Sequence, residues 1–132
     1  MAATANNDNK KFTKIEDTYA HQLATKAANL VWDEVQKWDW VAKRTLGIQW
    51  IDATDSISAN LAEGFGRHHR KDRIKFYYNA KGSTLESIDW ANKTVKRKLI
   101  STEKGLEILN LLEKIPREIN FQIRYSMEKL KD

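Results

Sequence analysis

The segment Asp55-Ser-Ile-Ser-Ala-Asn-Leu-Ala-Glu-Gly-Phe-Gly-Arg67 begins with the spacing of an amphipathic helix and ends in two glycines and an arginine. Ile57 and Leu61 are four positions apart, so they lie on one helical face. Most of the residues around them are small, which predicts that neighbouring helices approach this backbone closely. Gly66 stands near the end of the pattern, where we expect a left-handed helix stop.

Three polar residues of this segment, Asp55, Asn60 and Glu63, stand in a face that is otherwise predicted to be buried. Buried carboxylates and amides are tolerated only when they have hydrogen-bonding or ionic partners. Arg67 follows Glu63 by four residues and is the simplest partner for it, whereas a carboxylate pair of Glu63 with Glu86 is the alternative. A satisfied polar network, within the fold or between subunits, is the first interpretation, and an active site is the second.

The same three-and-four spacing on both sides of this segment predicts an all-α protein. Four helices are expected, over about residues 14–37, 41–65, from the turn at 67–75 to about 99, and 101–130. Asp39, and either Ser101 or Thr102, can cap two of them. Short connections between amphipathic helices favour an up-down-up-down four-helix bundle. Residues 13–132 form the predicted domain, and residues 1–12 a disordered N-terminal tail.

Each predicted helix carries an apolar stripe. In the first helix the stripe comprises Ile15, Tyr19, Leu23, Ala27, Leu30 and Val31, and a second stripe of small residues comprises Ala20, Ala24 and Ala28. The residues of the second, third and fourth stripes are Leu46, Trp50, Ala53, Ile57 and Leu61; Ile74, Tyr78, Leu85, Ile88, Val95 and Leu99; and Ile108, Leu112, Ile115, Ile119, Ile123 and Leu130. Gly82 interrupts the third stripe at a cost of about 1 kcal/mol, which suggests tight contact with another helix. Pro116 lies inside the fourth, where we expect a kink rather than a new element.

Composition limits the class of protein. The chain has 132 residues, no cysteine and a formal net charge of +5. A disulfide framework and a thiolate metal site are therefore excluded, and polyanions become plausible partners. The first eleven residues lack the apolar core of a signal peptide, and no apolar run is long enough to span a bilayer. We expect a cytoplasmic protein without membrane contact.

Two clusters of basic residues flank the third helix. The first comprises Arg67, Arg70, Lys71, Arg73 and Lys75, and the second comprises Lys93, Lys96, Arg97 and Lys98. Both are candidate contacts for the phosphates of nucleic acid. The alternative is that they are solvated charges at a turn and at a helix end, where cations also complement the helix dipole.

The sequence contains no clear motif for catalysis or for cofactor binding. His68 and His69 are adjacent and point about 100° apart on a helix, whereas helical chelation uses residues four apart, so we expect surface histidines. Ser56 and Ser58 lie within a helix and not on a strand-to-helix elbow. Gly64-Phe-Gly66 has no preceding strand and lacks a dinucleotide-binding pattern. We predict no enzyme activity, no cofactor and no metal.

Five tryptophans exceed what a small bundle needs. Trp50 fits the core stripe. The other four, Trp32, Trp38, Trp40 and Trp90, are expected to line an interface, where amphipathic aromatic side chains are favoured. Ile48 and Ile51 also broaden the apolar surface of the second helix, which suggests a contact between subunits. Stacking of the tryptophans on nucleic-acid bases is the alternative.

Four pieces of the sequence together resemble a known family. They are Gly47-x-Gln49, the Asn60-x-x-Glu-Gly-x-Gly-Arg67 part of the segment quoted above, Gly82-Ser-x-x-Glu86, and Trp90. In this order they resemble the four-helix-bundle proteins whose founding members are encoded within intervening sequences of bacterial 23S ribosomal RNA genes. The resemblance covers nearly the whole predicted domain. Its signature positions are Asp55, Asn60, Glu63, Gly64, Gly66, Arg67, Gly82, Ser83 and Glu86, which we assign to structure first.

The resemblance implies a four-helix bundle that is often assembled as a ring-like homopentamer. It also implies kinship with the basic accessory protein that partners reverse transcriptase in diversity-generating retroelements. We therefore expect a non-enzymatic homo-oligomer that binds RNA, DNA or a nucleoprotein partner through its basic surfaces. The alternative is a structural or protein-interaction scaffold without nucleic-acid binding. A nuclease ranks below both, because it would need a metal or acid–base constellation.

Overall fold

The computed structural model describes residues 12–130, in which every regular element is helical. A short 3₁₀ turn, Ile15–Asp17, precedes four helices. Helix α1 is Tyr19–Val35, α3 is Arg70–Lys96 and α4 is Thr102–Lys129. Helix α2 is continuous over three segments, α-helical Trp40–Ala42, π-helical Lys43–Gly47 and α-helical Ile48–Phe65. Apart from Phe12, the predicted tail lies outside the described residues, as do residues 131–132.

The four helices form the predicted bundle. Helix α1 packs against α2 and α4, and α3 packs against the same two helices. Helices α1 and α3 therefore occupy opposite corners, as expected when short connections place successive helices side by side. The all-α, up-down-up-down prediction is confirmed. Within the described residues, no helix is both long and apolar enough to cross a bilayer.

The helices begin where a side chain can accept a hydrogen bond from the first turn. Asp39 accepts from the Ala42 backbone N–H at 3.0 Å, and Ser101 accepts from the Lys104 N–H at 3.1 Å. Both were predicted as caps. Helix α1 starts later than predicted, because Thr18 is extended at ψ 138° and its hydroxyl accepts from the N–H of the third residue on.

The core is built largely from the predicted stripes of α1, α2 and α4. Ala20, Ala24 and Ala28 are buried, so α1 approaches its neighbours closely. The buried residues from the second and fourth predicted stripes are Leu46, Trp50, Ala53, Ile57, Leu61, Ile108, Leu112, Ile115, Ile119 and Ile123. Trp38 is also buried and stacks on Trp50, with ring centroids 6.0 Å apart. The prediction that Trp38 lines an interface is therefore wrong.

The predicted stripe of α3 is only partly correct, because two of its six members do not face the core. The other four, Ile74, Ile88, Val95 and Leu99, are half-buried and pack against the core. Tyr78 and Leu85 are each 57% exposed, and the buried face consists of Tyr77, Ala80, Thr84, Ser87, Ala91 and Thr94. Small side chains allow close helix contact, and their hydroxyl groups are satisfied. The Thr84 hydroxyl donates to the Ala80 carbonyl at 2.8 Å, and the Thr54 and Ser87 hydroxyls are 2.7 Å apart. Hydrogen-bonded hydroxyls are tolerated in a core, so hydrophobicity alone does not identify the most deeply buried residues of α3.

Two glycines, Gly66 and Gly82, differ from expectation. Gly66 has φ −78° and is not a left-handed stop. A Cβ on Gly82 would meet no atom within 4 Å, so this residue makes no tight contact within the protomer. The close approach is instead at Gly64, where a Cβ would lie 3.0 Å from the Phe76 Cβ and 3.0 Å from the Tyr77 ring. Helices α2 and α3 therefore meet at Gly64.

Candidate nucleic-acid interface

The first basic cluster lies at the α2–α3 turn, and three of its five residues maintain the fold there. Arg73 donates from Nη2 to the Phe65 carbonyl at 2.7 Å and to the Arg67 carbonyl at 3.3 Å. Arg70 donates from Nη1 to the Met127 carbonyl at 2.7 Å, which links α3 to the last turn of α4. Carbonyl groups at helix ends lack intrahelical donors, so these arginines satisfy them.

Arg67 is the third residue committed to this turn. Its Nη2 lies 2.8 Å from Glu63 Oε2, and its guanidinium lies 4.7 Å from the centroid of the Phe76 ring. Lys71 and Lys75 are exposed. Of the first cluster, these two lysines are the ones whose ammonium groups the described contacts leave for a ligand.

The second basic cluster has fewer structural duties. Lys93 pairs with Asp89 at 2.6 Å and lies 4.6 Å from the centroid of the Trp90 ring. Lys96, Arg97 and Lys98 are exposed and form no ion pair with any residue from 12 to 130. Lys98 adopts φ 60° directly after the end of α3. Three consecutive cations at the negative end of a helix thus remain available to an anionic ligand.

A cleft joins this second cluster to the π-helical part of α2. Its volume is about 410 Å³, and its lining residues are Arg44, Thr45, Leu46, Gln49, Trp90, Lys93 and Arg97. The lining includes three cations and no carboxylate. Arg44 also lies 4.8 Å from the centroid of Trp40, an indole that is 68% exposed. We call Arg44, Lys93, Lys96, Arg97 and Lys98 the upper basic surface.

The two predicted clusters do not meet in one protomer. They lie at opposite ends of α3, which has 27 residues and is therefore about 40 Å long. The structure does bring Lys93 and Arg97 to one cleft. The predicted ligand residues did not include Arg44 and Gln49, which line the cleft, or Trp40, which lies beside Arg44. These three residues of α2 are more than forty positions from Lys93 and Arg97 in the sequence. Only the antiparallel pairing of α2 with α3 brings the two groups together.

The acidic signature residues face outward, and the prediction that they are buried is wrong. Glu63 and Arg67 form the predicted pair, but their side chains are 53% and 43% exposed. Glu86 accepts instead from Trp90 Nε1 at 3.2 Å, so the alternative pair of Glu63 with Glu86 is not formed. Asp55 is also exposed. The protein removes part of the water around its carboxyl group and so raises the pKa of that group, and the negative charge of Asp52 adds a smaller increase.

Asn60 is half-buried and is satisfied locally, since its Nδ2 donates to the Ser56 carbonyl at 2.9 Å. His68 and His69 are exposed, and their rings make an edge contact at 5.5 Å. No group of three or more His, Asp or Glu side chains in the described part of the chain is arranged to hold a metal ion.

Comparison with known proteins agrees with this architecture. A solved structure from Bacteroides thetaiotaomicron VPI-5482, a protein with unknown function from the S23 ribosomal protein family, has a TM-score of 0.71 to this chain. It is 17% identical in sequence, and the match covers 80% of this chain and 98% of that chain. At this identity the likeness shows the fold alone. No curated protein sequence is significantly similar to the chain.

The family model described as 23S rRNA-intervening sequence protein matches residues 16–121. This range includes the first three helices, both basic clusters and most of α4. The described positions of the sequence signature, from Gly47 to Trp90, all lie within it. Because the match spans most of its length, the chain belongs to the 23S rRNA-intervening sequence protein family.

Proposed function

We propose that this protein is a non-enzymatic, oligomeric bundle that binds nucleic acid, alone or within a nucleoprotein partner, through the upper basic surface. The observation that supports this most is the set of exposed cations that the fold does not use, Lys96, Arg97 and Lys98, next to a cleft lined by Arg44 and Lys93. The sequence resemblance implies kinship with a partner of reverse transcriptase, and a nucleoprotein complex is therefore one proposed setting for such binding.

The chemistry of this surface favours phosphate over base recognition. Lysine and arginine side chains bind phosphate oxygens and release condensed counterions, which makes affinity fall with salt by roughly 0.7 log units per contact for a single strand. No base-reading motif accompanies Lys96, Arg97 and Lys98. Binding is therefore expected to have little sequence preference and a steep dependence on salt.

The test is fluorescence anisotropy of labelled RNA and DNA oligonucleotides across a salt series. The variant is Lys96→Ala with Arg97→Ala and Lys98→Ala, and we expect weaker binding and a salt slope reduced by up to about 2. The charge-matched control removes three exposed lysines elsewhere, Lys26, Lys114 and Lys129. The proposal would be contradicted if the wild type bound no oligonucleotide at low salt. It would also be contradicted if the two triple variants had the same affinity and the same salt slope.

The first basic cluster, at the α2–α3 turn, needs a different variant. Because Arg70 and Arg73 donate to backbone carbonyls, their removal would disturb the fold and confuse the result. Lys71→Ala with Lys75→Ala removes two exposed charges instead. If this pair lowers affinity as much as the upper variant does, the lower end of α3 also contributes to binding.

An interaction scaffold without nucleic-acid binding is the second candidate. It is supported by large apolar side chains that are exposed in the protomer, namely Trp32, Trp40, Val41, Ile48, Tyr78, Leu85, Leu106 and Met127. Of these, Tyr78 and Leu85 are seven positions apart on α3 and share one helix face, which a partner molecule would cover. A wild-type protein that assembles but binds no oligonucleotide at low salt would favour this candidate.

A further inference from the structure

The cleft between α2 and α3 combines charge with an aromatic ring. Arg44, Lys93 and Arg97 contribute three cations to its lining, Gln49 an amide and Trp90 an indole. A volume of about 410 Å³ falls within the range of roughly 300–1,000 Å³ that is usual for small-ligand pockets. A purely electrostatic phosphate surface needs neither the indole nor the amide, so these two groups point to a ligand with a base as well as a phosphate.

Contacts on α3 hold the indole of Trp90 in place. Its Nε1 donates to Glu86 at 3.2 Å, one turn earlier on the helix. Lys93 lies 4.6 Å from the ring centroid and is itself tied to Asp89 at 2.6 Å. The indole N–H is already used, and the ring packs partly against the core. What Trp90 can offer a ligand is therefore the ring surface over which the Lys93 ammonium lies, and a stacked base would take the place of that ammonium. An orientation fixed before binding also lowers the entropy lost on association.

The opposite wall of the cleft is the π-helical segment Lys43–Gly47. Such segments are rare and are often found at functional sites, because the wider turn redirects side chains. Gly47 anchors this one to α1, since a Cβ there would lie 2.8 Å from Val35 Cγ1. The backbone that carries Arg44 is therefore fixed by the bundle and does not depend on the ligand, and Gln49 lies in the first turn of the α-helical segment that follows.

We infer that this cleft receives one unpaired nucleotide of a bound strand, with the base stacked on Trp90 and the adjacent phosphates held by Arg44 and Arg97. The Gln49 amide is placed to hydrogen-bond the base or sugar edge. A base in a duplex is covered on both faces by its neighbours, so only an unpaired one can stack on the indole. This inference rests on the proposed function and adds a preference for single strands.

The experiment compares three labelled ligands by anisotropy: a 20-nucleotide oligouridine RNA, oligothymidine of the same length, and a 20-base-pair RNA duplex. Trp90→Leu is compared with Trp32→Leu, a matched change on α1 at the opposite corner of the bundle, where the indole is exposed. We expect Trp90→Leu to weaken single-strand binding roughly 5- to 150-fold, the range for loss of one stacked base. Its salt slope and its affinity for the duplex stay unchanged, and Trp32→Leu binds as wild type does.

Arg44→Ala is expected to change the salt slope, which Trp90→Leu leaves unchanged. We expect it to lower the single-strand salt slope by about 0.7, because one phosphate contact is lost. If circular dichroism shows that Trp90→Leu does not fold, Gln49→Ala and Arg44→Ala carry the comparison, since both side chains are exposed. Loss of the single-strand preference in these variants is then the expected result.

Two failures are distinguishable. A wild type that binds none of the three ligands overturns both the proposed function and this inference. A wild type that binds single strands and duplex equally, with Trp90→Leu indistinguishable from Trp32→Leu, overturns the inference and leaves the phosphate-binding function standing. Comparison of the oligouridine and oligothymidine affinities shows which kind of single strand the cleft accepts.

Discussion

At the scale of single residues, similar positions in the sequence signature have unlike environments. Gly64 is enclosed by Phe76, Tyr77 and the Arg73 carbonyl, whereas Gly82 faces open space in the protomer. Both are helical, so both lower helix stability relative to alanine. Only at Gly64 does the fold require the missing side chain.

Alanine substitutions separate these two glycines. We expect Gly64→Ala to destabilise the protein by about 1–3 kcal/mol, because the new Cβ would displace α3. Gly82→Ala should stabilise it by about 0.5–1 kcal/mol through helix propensity. Chemical denaturation of the two variants and the wild type measures both effects. These values apply to the single protomer, in which no atom lies near the Gly82 position. A destabilising Gly82→Ala in the monomeric protein would contradict this open environment, whereas in an oligomer it would indicate that a second copy packs against Gly82.

Glu118 shows how a buried charge weakens a small core. Its side chain is 3% exposed, and the Arg117 Nε that opposes it lies 3.7 Å away on an 83% exposed side chain. Burial raises the pKa of the Glu118 carboxyl, and Arg117 offsets only part of this shift. A carboxyl group whose pKa is raised on folding binds protons more tightly in the folded state, so stability falls as pH rises through that range.

We therefore expect Glu118→Gln to increase stability at pH 7. The increase should shrink as pH is lowered and disappear below the ordinary glutamate pKa of 4.5, where both states of the wild type are protonated. Denaturation midpoints between pH 4 and pH 8 provide the measurement. Glu113→Gln, an exposed neighbour, serves as the control. A pH-independent difference between Glu118→Gln and wild type would show that the buried charge is not the cause.

At the scale of elements, one arginine side chain connects the two ends of the α2–α3 turn. Arg73 is half-buried, and its two hydrogen bonds tie the first turn of α3 to the carbonyls of Phe65 and Arg67. Its guanidinium also lies 5.0 Å from the centroid of the Phe65 ring. A residue that appears to be part of a charged ligand-binding run is therefore a clamp between two helices.

Removal of this clamp should be costly. We expect Arg73→Ala to lower the free energy of unfolding by about 1.5–3 kcal/mol, the usual range for hydrogen bonds from a charged donor. Lys71→Ala, two residues earlier and exposed, should change it by less than about 0.5 kcal/mol. Thermal and denaturant unfolding of both variants tests the difference. Equal effects would mean that the turn is held by backbone geometry alone.

The sequence predicts elements better than it predicts their faces. Periodicity and caps identify four helices and two of their start sites, because spacing and capping are local properties. The most deeply buried part of α3 is missed, because Thr84 and Ser87 become acceptable core residues only when their hydroxyls find partners. The cleft is missed for a related reason. Arg44 and Trp90 are joined by helix packing, which no local pattern encodes.

At the scale of the whole molecule, the outer face of α3 is unlike a solvated helix surface. Tyr78, Gly82 and Leu85 are spaced by four and three residues, so they share a face, and the two large side chains are largely exposed. The protomer leaves this stripe without a covering element among its described residues. A second copy of the chain is the occupant that the proposed oligomer provides.

Charge introduced into this stripe tests the assembly. We expect the wild type to have a mass by light scattering well above the 15.4 kDa of one chain, with five subunits as the number implied by the family resemblance. Leu85→Glu should lower the mass towards 15.4 kDa without loss of helicity, because an exposed charge costs the protomer little but a buried one opposes association. Asn29→Glu adds the same charge to an exposed site on α1, across the bundle from α3, and should leave the mass unchanged. A wild-type mass that stays at one chain at micromolar concentration would show that the bundle is stable alone and that the apolar stripe binds a different partner.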